Sequence, residues 1–314
     1  VEIRIVGLCN SRKMLIQENG IDLQDWKNLV DNQGVAFDKE QLIDSIKELN
    51  LRNSVLVDCT ANYDVAKIYK AALSANISVV TANKIAASSN FAEYKELKKI
   101  ALKNGAQFLF ETNVGAGLPV VQTINELYYS GEKITKIRGV FSGSLSYIFN
   151  RFSTEETPFS KILLDAEKNG YTEPDSREDL SGNDVARKLL ILAREIEHSV
   201  DFSDVKVSSL LLPNLNTTHS KAEYASNKHL FDKPFQVAKI TQAENHVLRY
   251  AGEFDVNNKS LEVKLISVPK SSPLGQLKGA DNLIEIYTKS YGEIPIVIQG
   301  AGAGREVTAR GVLI

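Results

Sequence analysis

Four short, almost wholly apolar runs recur through the first third of the chain: VEIRIVGLC at 1–9, SVLVDC at 54–59, ISVVT at 77–81 and QFLFE at 107–111. A strand that is apolar at nearly every position is one covered on both faces. Between the runs lie stretches with helical spacing, at 22–31, 39–50, 64–75 (Val65, Ile68, Tyr69 and Ala72 on one side) and 90–104. Strands alternating with helices predict an α/β fold built on a doubly wound parallel sheet.

In such sheets ligands bind beyond the carboxyl ends of the strands. The residues expected there are Asn10-Ser11-Arg12-Lys13, Thr60-Ala61-Asn62, Ala82-Asn83-Lys84 and Thr112 to Gly117. All are small, polar or cationic, and four such turns in succession favour a nucleotide crevice over ordinary turns. Arg12 and Lys13 suit a 2′-phosphate, which points to NADP rather than NAD; a solvated basic turn is the plain alternative. The Gly-x-Gly-x-x-Gly turn that opens a dinucleotide fold does not occur in this sequence.

After Pro119 the pattern changes to α+β. Helices are expected at 119–129 and 158–169, strands at 133–141 and 283–289, and a hairpin over 246–267 turning at Asn257-Asn258. Segment 213–232 is too weakly patterned to assign. Near the end, Ile296 to Gly300 reads as a strand running through GAGAG (300–304) into a helix near Arg305. Those glycines would let backbone N–H groups approach an anion, or simply form a tight turn.

The densest chemistry lies in YTEPDSREDLSGNDVARK, 171–188, which holds five carboxylates and three cations and runs into LLILA. From Ser181 the pattern is helical, so Asp184 and Lys188 stand at i and i+4, acid first. Glu173 and Asp179 lie in the loop ahead and can fold back over the same end. One reading is a capped helix, Ser181 the N-cap with Asp184 completing a capping box. The other is a polar substrate pocket with a lysine poised for proton transfer.

Bulk properties exclude several classes. A net charge of −2 in 314 residues argues against nucleic acid or an anionic membrane as the main partner. No apolar run is long enough to span a membrane, and the opening residues do not have the charged-then-apolar layout expected of a signal peptide. The two cysteines, Cys9 and Cys59, fall in apolar segments and are expected to be buried free thiols in a reducing compartment, the cytoplasm. The four histidines (198, 219, 229, 246) show no metal-ligand spacing.

VDCT (57–60), VTANK (80–84), ETNVGAGLP (111–119), SGSLSYIF (142–149), the 171–188 stretch and GAGAGREVTARGVL (300–313) occur in this order, and together they resemble homoserine dehydrogenase. NSRK, SGSLSYIF and DVARKLLILAR resemble the form fused behind an aspartokinase. The resemblance implies an NAD(P)-dependent oxidoreductase of threonine, methionine and isoleucine biosynthesis, interconverting L-homoserine and L-aspartate 4-semialdehyde. It implies a Rossmann domain at 1–118 completed by 300–314, and a catalytic and dimerisation domain at 119–299. By the same analogy Lys188 is the proton carrier and Lys84 lines both substrate and cofactor sites. Glu173, Asp179 and Asp184 match substrate positions. Ser11, Arg12, Lys13, Thr60 and Gly304 match cofactor positions. Glu111, Val114, Ala116 and Leu118 match the ligands of a monovalent cation, sodium or potassium. Two competing readings are a regulatory nucleotide-binding module without turnover, and a phosphorylating semialdehyde dehydrogenase with Cys59 as nucleophile.

Overall fold

Strand β1 (Gly7–Cys9) turns back at once into β2 (Lys13–Ile16), and β3 (Val35–Ala36) pairs with β2, so the chain opens with a small antiparallel sheet. The computed structural model describes residues 2–216 and 220–313. Val1, where the expected first strand begins, and Thr217, Thr218, His219 and Ile314 lie outside the described residues. Among the described residues the first strand is three residues long and pairs with β2, not with the parallel sheet. A chain that reverses through a four-residue turn can pair with its predecessor only in antiparallel fashion. Leu15, Ile21 and Val30 form a satellite core beneath this sheet.

The parallel sheet consists of β4 (Val55–Asp58), β5 (Ser78–Thr81) and β6 (Phe108–Leu109), in the order β4-β5-β6. The connections are helical, as parallel pairing demands. Expected helix 64–75 forms as two pieces, Tyr63–Ala66 and Tyr69–Ser74. Tyr69, Ala72, Leu73 and Val79 are fully buried between these helices and the sheet. Helix Phe91–Asn104 leads to β6. Residues 1–86 and 92–109 form one compact unit; 87–91 and 110–314 form the second.

The second unit is built on six strands: β7 (Ile134–Val140), β8 (Val205–Val207), β9 (His246–Asp255), β10 (Ser260–Pro269), β11 (Asp281–Thr288) and β12 (Ile296–Ala301), in the order β12-β11-β7-β9-β10-β8. All neighbours are antiparallel except β8 and β10. The β9–β10 hairpin turns over 256–259, where the sequence pattern places it, with Lys259 left-handed at φ 52°. Helices Gly143–Thr154 and Asn183–Glu195 pack on β9. Next to the first of them, Phe149, Phe152, Phe159, Phe231 and Phe235 make an aromatic core, Phe159 stacked on Phe235 at 3.8 Å. That core holds the described part of the weakly patterned segment 213–232, together with the residues that follow to Ile240. Its short helices, Lys221–Asn227 and Asp232–Ile240, are held by Phe231, Phe235 and the pairing of buried Lys228 with half-buried Glu167 rather than by periodicity.

Candidate active site

In the first unit, polar groups gather where β4 and β5 end. Asp58, 2% exposed, accepts from the Thr60 amide at 2.7 Å, the Tyr69 hydroxyl at 2.5 Å and the Asn83 side-chain amide at 3.1 Å. Burial, and then the hydrogen bond to Asp58, push the Tyr69 hydroxyl far up, so it remains a donor. Asn83 also donates to the Asn62 carbonyl at 3.0 Å and accepts from the Ile85 amide at 3.1 Å. The turns Thr60–Asn62 and Ala82–Lys84 are therefore tied to one buried carboxylate. Lys84 opens the short helix Lys84–Ala87 directly after the fixed Asn83.

Ser11, Arg12 and Lys13 are placed differently from expectation. They form the tip of the β1–β2 hairpin, where the Asn10 side chain accepts from the amides of Arg12 (2.8 Å) and Lys13 (2.9 Å). The Lys13 ammonium donates to the Asp31 carbonyl, which draws it back toward helix Trp26–Gln33. Both cysteines are exposed, not buried as expected, because Cys9 ends the three-residue β1 and Cys59 lies just past the end of β4. Partial enclosure and the charge of Asp58 nevertheless push both thiols up, which makes them poor nucleophiles.

In the second unit, helix Asn183–Glu195 carries Lys188. Its N-cap is Gly182, at φ 78°, and not Ser181; no capping box with Asp184 forms. Ser181 ends the preceding short helix Ser176–Ser181, its hydroxyl donating to the Glu178 carbonyl at 2.6 Å. The helical period does bring Asp184 and Lys188 together, at 2.8 Å. The Lys188 ammonium also donates to the Phe141 carbonyl at 2.7 Å, at the end of β7. Lys188 is buried while the Asp184 side chain is 49% exposed, so the pair runs from the interior to the rim.

Asp179 stands beside them. It accepts from the Ser144 hydroxyl at 2.5 Å and from the Glu173 amide at 2.9 Å, which folds the Glu173 loop back over the helix start. Burial pushes the Asp179 carboxyl up; the two hydrogen bonds pull it down, and the charges of Glu173 and Asp184 push it up again. Three carboxylates thus gather at the start of the helix that carries Lys188, with Asp184 paired to it. Phe141, Ser142 and Ser144 belong to this cluster and were not singled out individually by sequence reasoning. Their signal was SGS at a strand-to-helix junction, where Ser142 caps helix Gly143–Thr154 and meets Ser144 at 2.8 Å.

Residues 111–118 form a tight loop. Gly115 (φ 79°) and Ala116 (φ 53°) are both left-handed, and the Glu111 carboxylate accepts from the first amides of helix Val120–Tyr129, Val121 and Gln122, both at 2.8 Å. Val114 is fully buried, and the Leu118 amide donates to the Gly115 carbonyl at 3.0 Å. Helix Arg305–Val312, N-capped by Gly304, lies on this loop with no room for side chains at the contact: a Cβ on Gly311 would stand 2.8 Å from the Ala116 carbonyl oxygen. Among the described residues no group of three or more His, Cys, Asp or Glu could hold a metal, and no helix is long and apolar enough to cross a membrane.

Two family models match the chain. One, described as homoserine dehydrogenase, NAD binding domain, covers residues 1–111; the other, described as homoserine dehydrogenase, covers 119–314. A bifunctional aspartokinase/homoserine dehydrogenase of Zea mays is 40% identical over 99% of the chain. The chain spans about a third of the length of that relative (34%). A homoserine dehydrogenase of Schizosaccharomyces pombe is 40% identical over 93% of the chain and 79% of its own length. The crystal structure of a Candida auris protein of unknown function superposes with a TM-score of 0.93 at 36% identity, covering 100% of this chain and 89% of that one.

Proposed function

The chain belongs to the homoserine dehydrogenase family, and on that premise we propose that it interconverts L-homoserine and L-aspartate 4-semialdehyde with a nicotinamide dinucleotide. The observation that carries this reading is the buried Lys188 ammonium, directed by Phe141 and Asp184 beside Glu173 and Asp179. An ammonium has three N–H donors. Phe141 and Asp184 take two, and the third is left for the substrate oxygen. In the oxidative direction Lys188, neutral, receives the hydroxyl proton as the carbon is oxidised; in the reductive direction the ammonium returns it to the aldehyde oxygen. Glu173, Asp179 and Asp184 supply the negative field that binds the amino-acid ammonium.

The dinucleotide, when bound, supplies hydride chemistry. The residues present fit part of it: Thr60 and Lys84 emerge from turns locked by the Asp58 network, which suits the nicotinamide and its ribose. Ser11, Arg12 and Lys13 offer the cationic hairpin tip for a 2′-phosphate, so NADP is the proposed cofactor. Gly304 opens helix Arg305–Val312 and contributes backbone toward the same cofactor. In domain terms, 1–118 with 300–314 serves the cofactor and 119–299 the substrate.

We assign the monovalent cation to Glu111, Val114, Ala116 and Leu118. The tight left-handed loop concentrates carbonyl oxygens, and the one carboxylate is already engaged with Val121 and Gln122, a donor set suited to an alkali ion. The proposed assembly is a homodimer through the six-stranded sheet, in the full protein fused to an aspartokinase. Exposed Tyr291, Ile294 and Val297 around β12 favour such a contact. The unpaired thiols suit a reducing compartment such as the cytoplasm.

The deciding experiment compares the rates at which NADPH and NADH are oxidised with aspartate 4-semialdehyde. Turnover with either supports the function, and a preference for NADPH supports the role of Arg12 and Lys13. Cofactor binding with no turnover in the full-length protein would favour a regulatory module instead.

A further inference from the structure

Asn282, on β11, is fully buried, and its side-chain amide donates to the Phe141 carbonyl at 3.1 Å. That oxygen also accepts from Lys188 at 2.7 Å, so two donors from distant elements share one acceptor. We infer that Asn282 is a positioning residue for Lys188, acting through the Phe141 carbonyl. The inference rests on the proton-carrier role of Lys188 proposed above.

Three observations point the same way. The Asn282 side-chain oxygen is buried without a partner among the described residues. A residue retained only for packing would be better replaced by an apolar one of similar shape, which leaves no acceptor stranded. The N–H is therefore the part in use. Gly302 shows how closely the site is built around it: a Cβ there would stand 2.0 Å from both the Asn282 side-chain carbon and nitrogen. Gly302 is thus glycine because it abuts this amide, which accounts for one glycine of the GAGAG stretch without an anion. Finally, Phe141 lies just past the end of β7, where its carbonyl orientation is not set by a ladder partner.

The consequence concerns both direction and proton affinity. With Phe141 held by Asn282, and Asp184 on the helix, two N–H directions of Lys188 are defined and so is the third. An acceptor shared between two donors also binds each less strongly, so Asn282 weakens the hold of Phe141 on the charged lysine. A hydrogen bond to the charged form favours it; relaxing that bond helps Lys188 release a proton. Among the described residues Asp184 on its own helix pairs with it, and Asp179 on the preceding short helix feels the charges of Asp184 and of Glu173 in the loop.

The test is Asn282→Leu in the full-length protein. We expect kcat to fall about 10- to 100-fold, the scale on which misplacing a reacting group acts, with KM for homoserine within about twofold and thermal stability equal or higher. With homoserine as substrate, where neutral Lys188 is the base, the acidic limb of the pH profile should move to higher pH. A folded Asn282→Leu protein with unchanged kcat and pH profile overturns the inference, as does a kcat loss matched by a fall in melting temperature. Independently of turnover, incorporation of lysine ¹³C-labelled at Cε allows the Lys188 resonance, assigned by its loss in Lys188→Met, to be titrated by NMR with its N–H donors intact. An upward shift of its midpoint in Asn282→Leu supports the inference even if the parent protein does not oxidise homoserine; an unshifted midpoint counts against it. Should Asn282→Leu not fold, Asn282→Ser removes the reach of the amide in a smaller side chain and is read by the same two measurements.

Discussion

A Cβ placed on Gly182 would stand 2.1 Å from the hydroxyl oxygen of Tyr250, whose proton goes to the Ser208 carbonyl at 3.0 Å. The glycine is also left-handed, at φ 78°, and ends one helix while capping the helix that carries Lys188. Sterics and backbone conformation thus demand the same residue. Gly182→Ala should lose about 2–4 kcal/mol of stability, the sum of overpacking and strained φ. Activity should fall as well, because the helix start is displaced. Urea denaturation giving the parental midpoint would refute this.

Lys188→Met should leave the fold intact. Phe141 retains the Asn282 amide, and the Asp184 side chain is half exposed, so water can reach it. Turnover should fall by about 10²- to 10⁴-fold, the usual contribution of a positioned acid–base group. Circular dichroism and kcat on the same sample test the two halves; near-normal kcat would move the proton to Lys84 or to water.

Asp58→Asn exchanges an acceptor for a donor at a site already surrounded by donors: the Thr60 amide, the Tyr69 hydroxyl and the Asn83 amide. Only Tyr69 can reverse its role. The expected cost is about 1–3 kcal/mol for the group left unpaired. Because the network fixes the Thr60 and Lys84 turns, KM for the dinucleotide should rise more than kcat falls. An unchanged cofactor KM would separate this network from the cofactor site.

His198 sits edge-on to Phe254 at 4.9 Å, and burial, with the charge of Lys259 adding to it, holds its pKa below the usual imidazole range. A base depressed in the folded state binds fewer protons there than in the unfolded chain. Its contribution to stability is therefore complete above about pH 6.5 and is lost as pH falls toward the depressed value. Parent and His198→Asn should differ in stability by a pH-dependent amount as pH falls below about 7. A constant difference would mean that His198 does not titrate in that range.

Much of the architecture was legible in local pattern. Helices 90–104, 119–129 and 158–169 and the 246–267 hairpin form within a residue or two of expectation, since amphipathic period and turn chemistry are local properties. The failures are where tertiary pairing overrides local character. The apolar run at 1–9 reads as a buried parallel strand, yet the turn at Asn10–Lys13 commits it to an antiparallel hairpin and leaves Cys9 exposed. Ser181 has the chemistry of an N-cap, but the tight packing of Gly182 on Tyr250 moves the helix start by one residue.

The Asp184–Lys188 pair was determined by sequence alone, because residues four apart on a helix must face each other whatever surrounds them. The joining of Lys188 to Phe141, Phe141 to Asn282 and Asp179 to Ser144 was decided only by the tertiary structure. Those partners are separated by 47, 141 and 35 positions. No periodicity spans such distances; they meet because β11 pairs with β7 in one register and two helices pack on the same sheet. Local spacing chooses which residues share a face, and strand register chooses what that face meets.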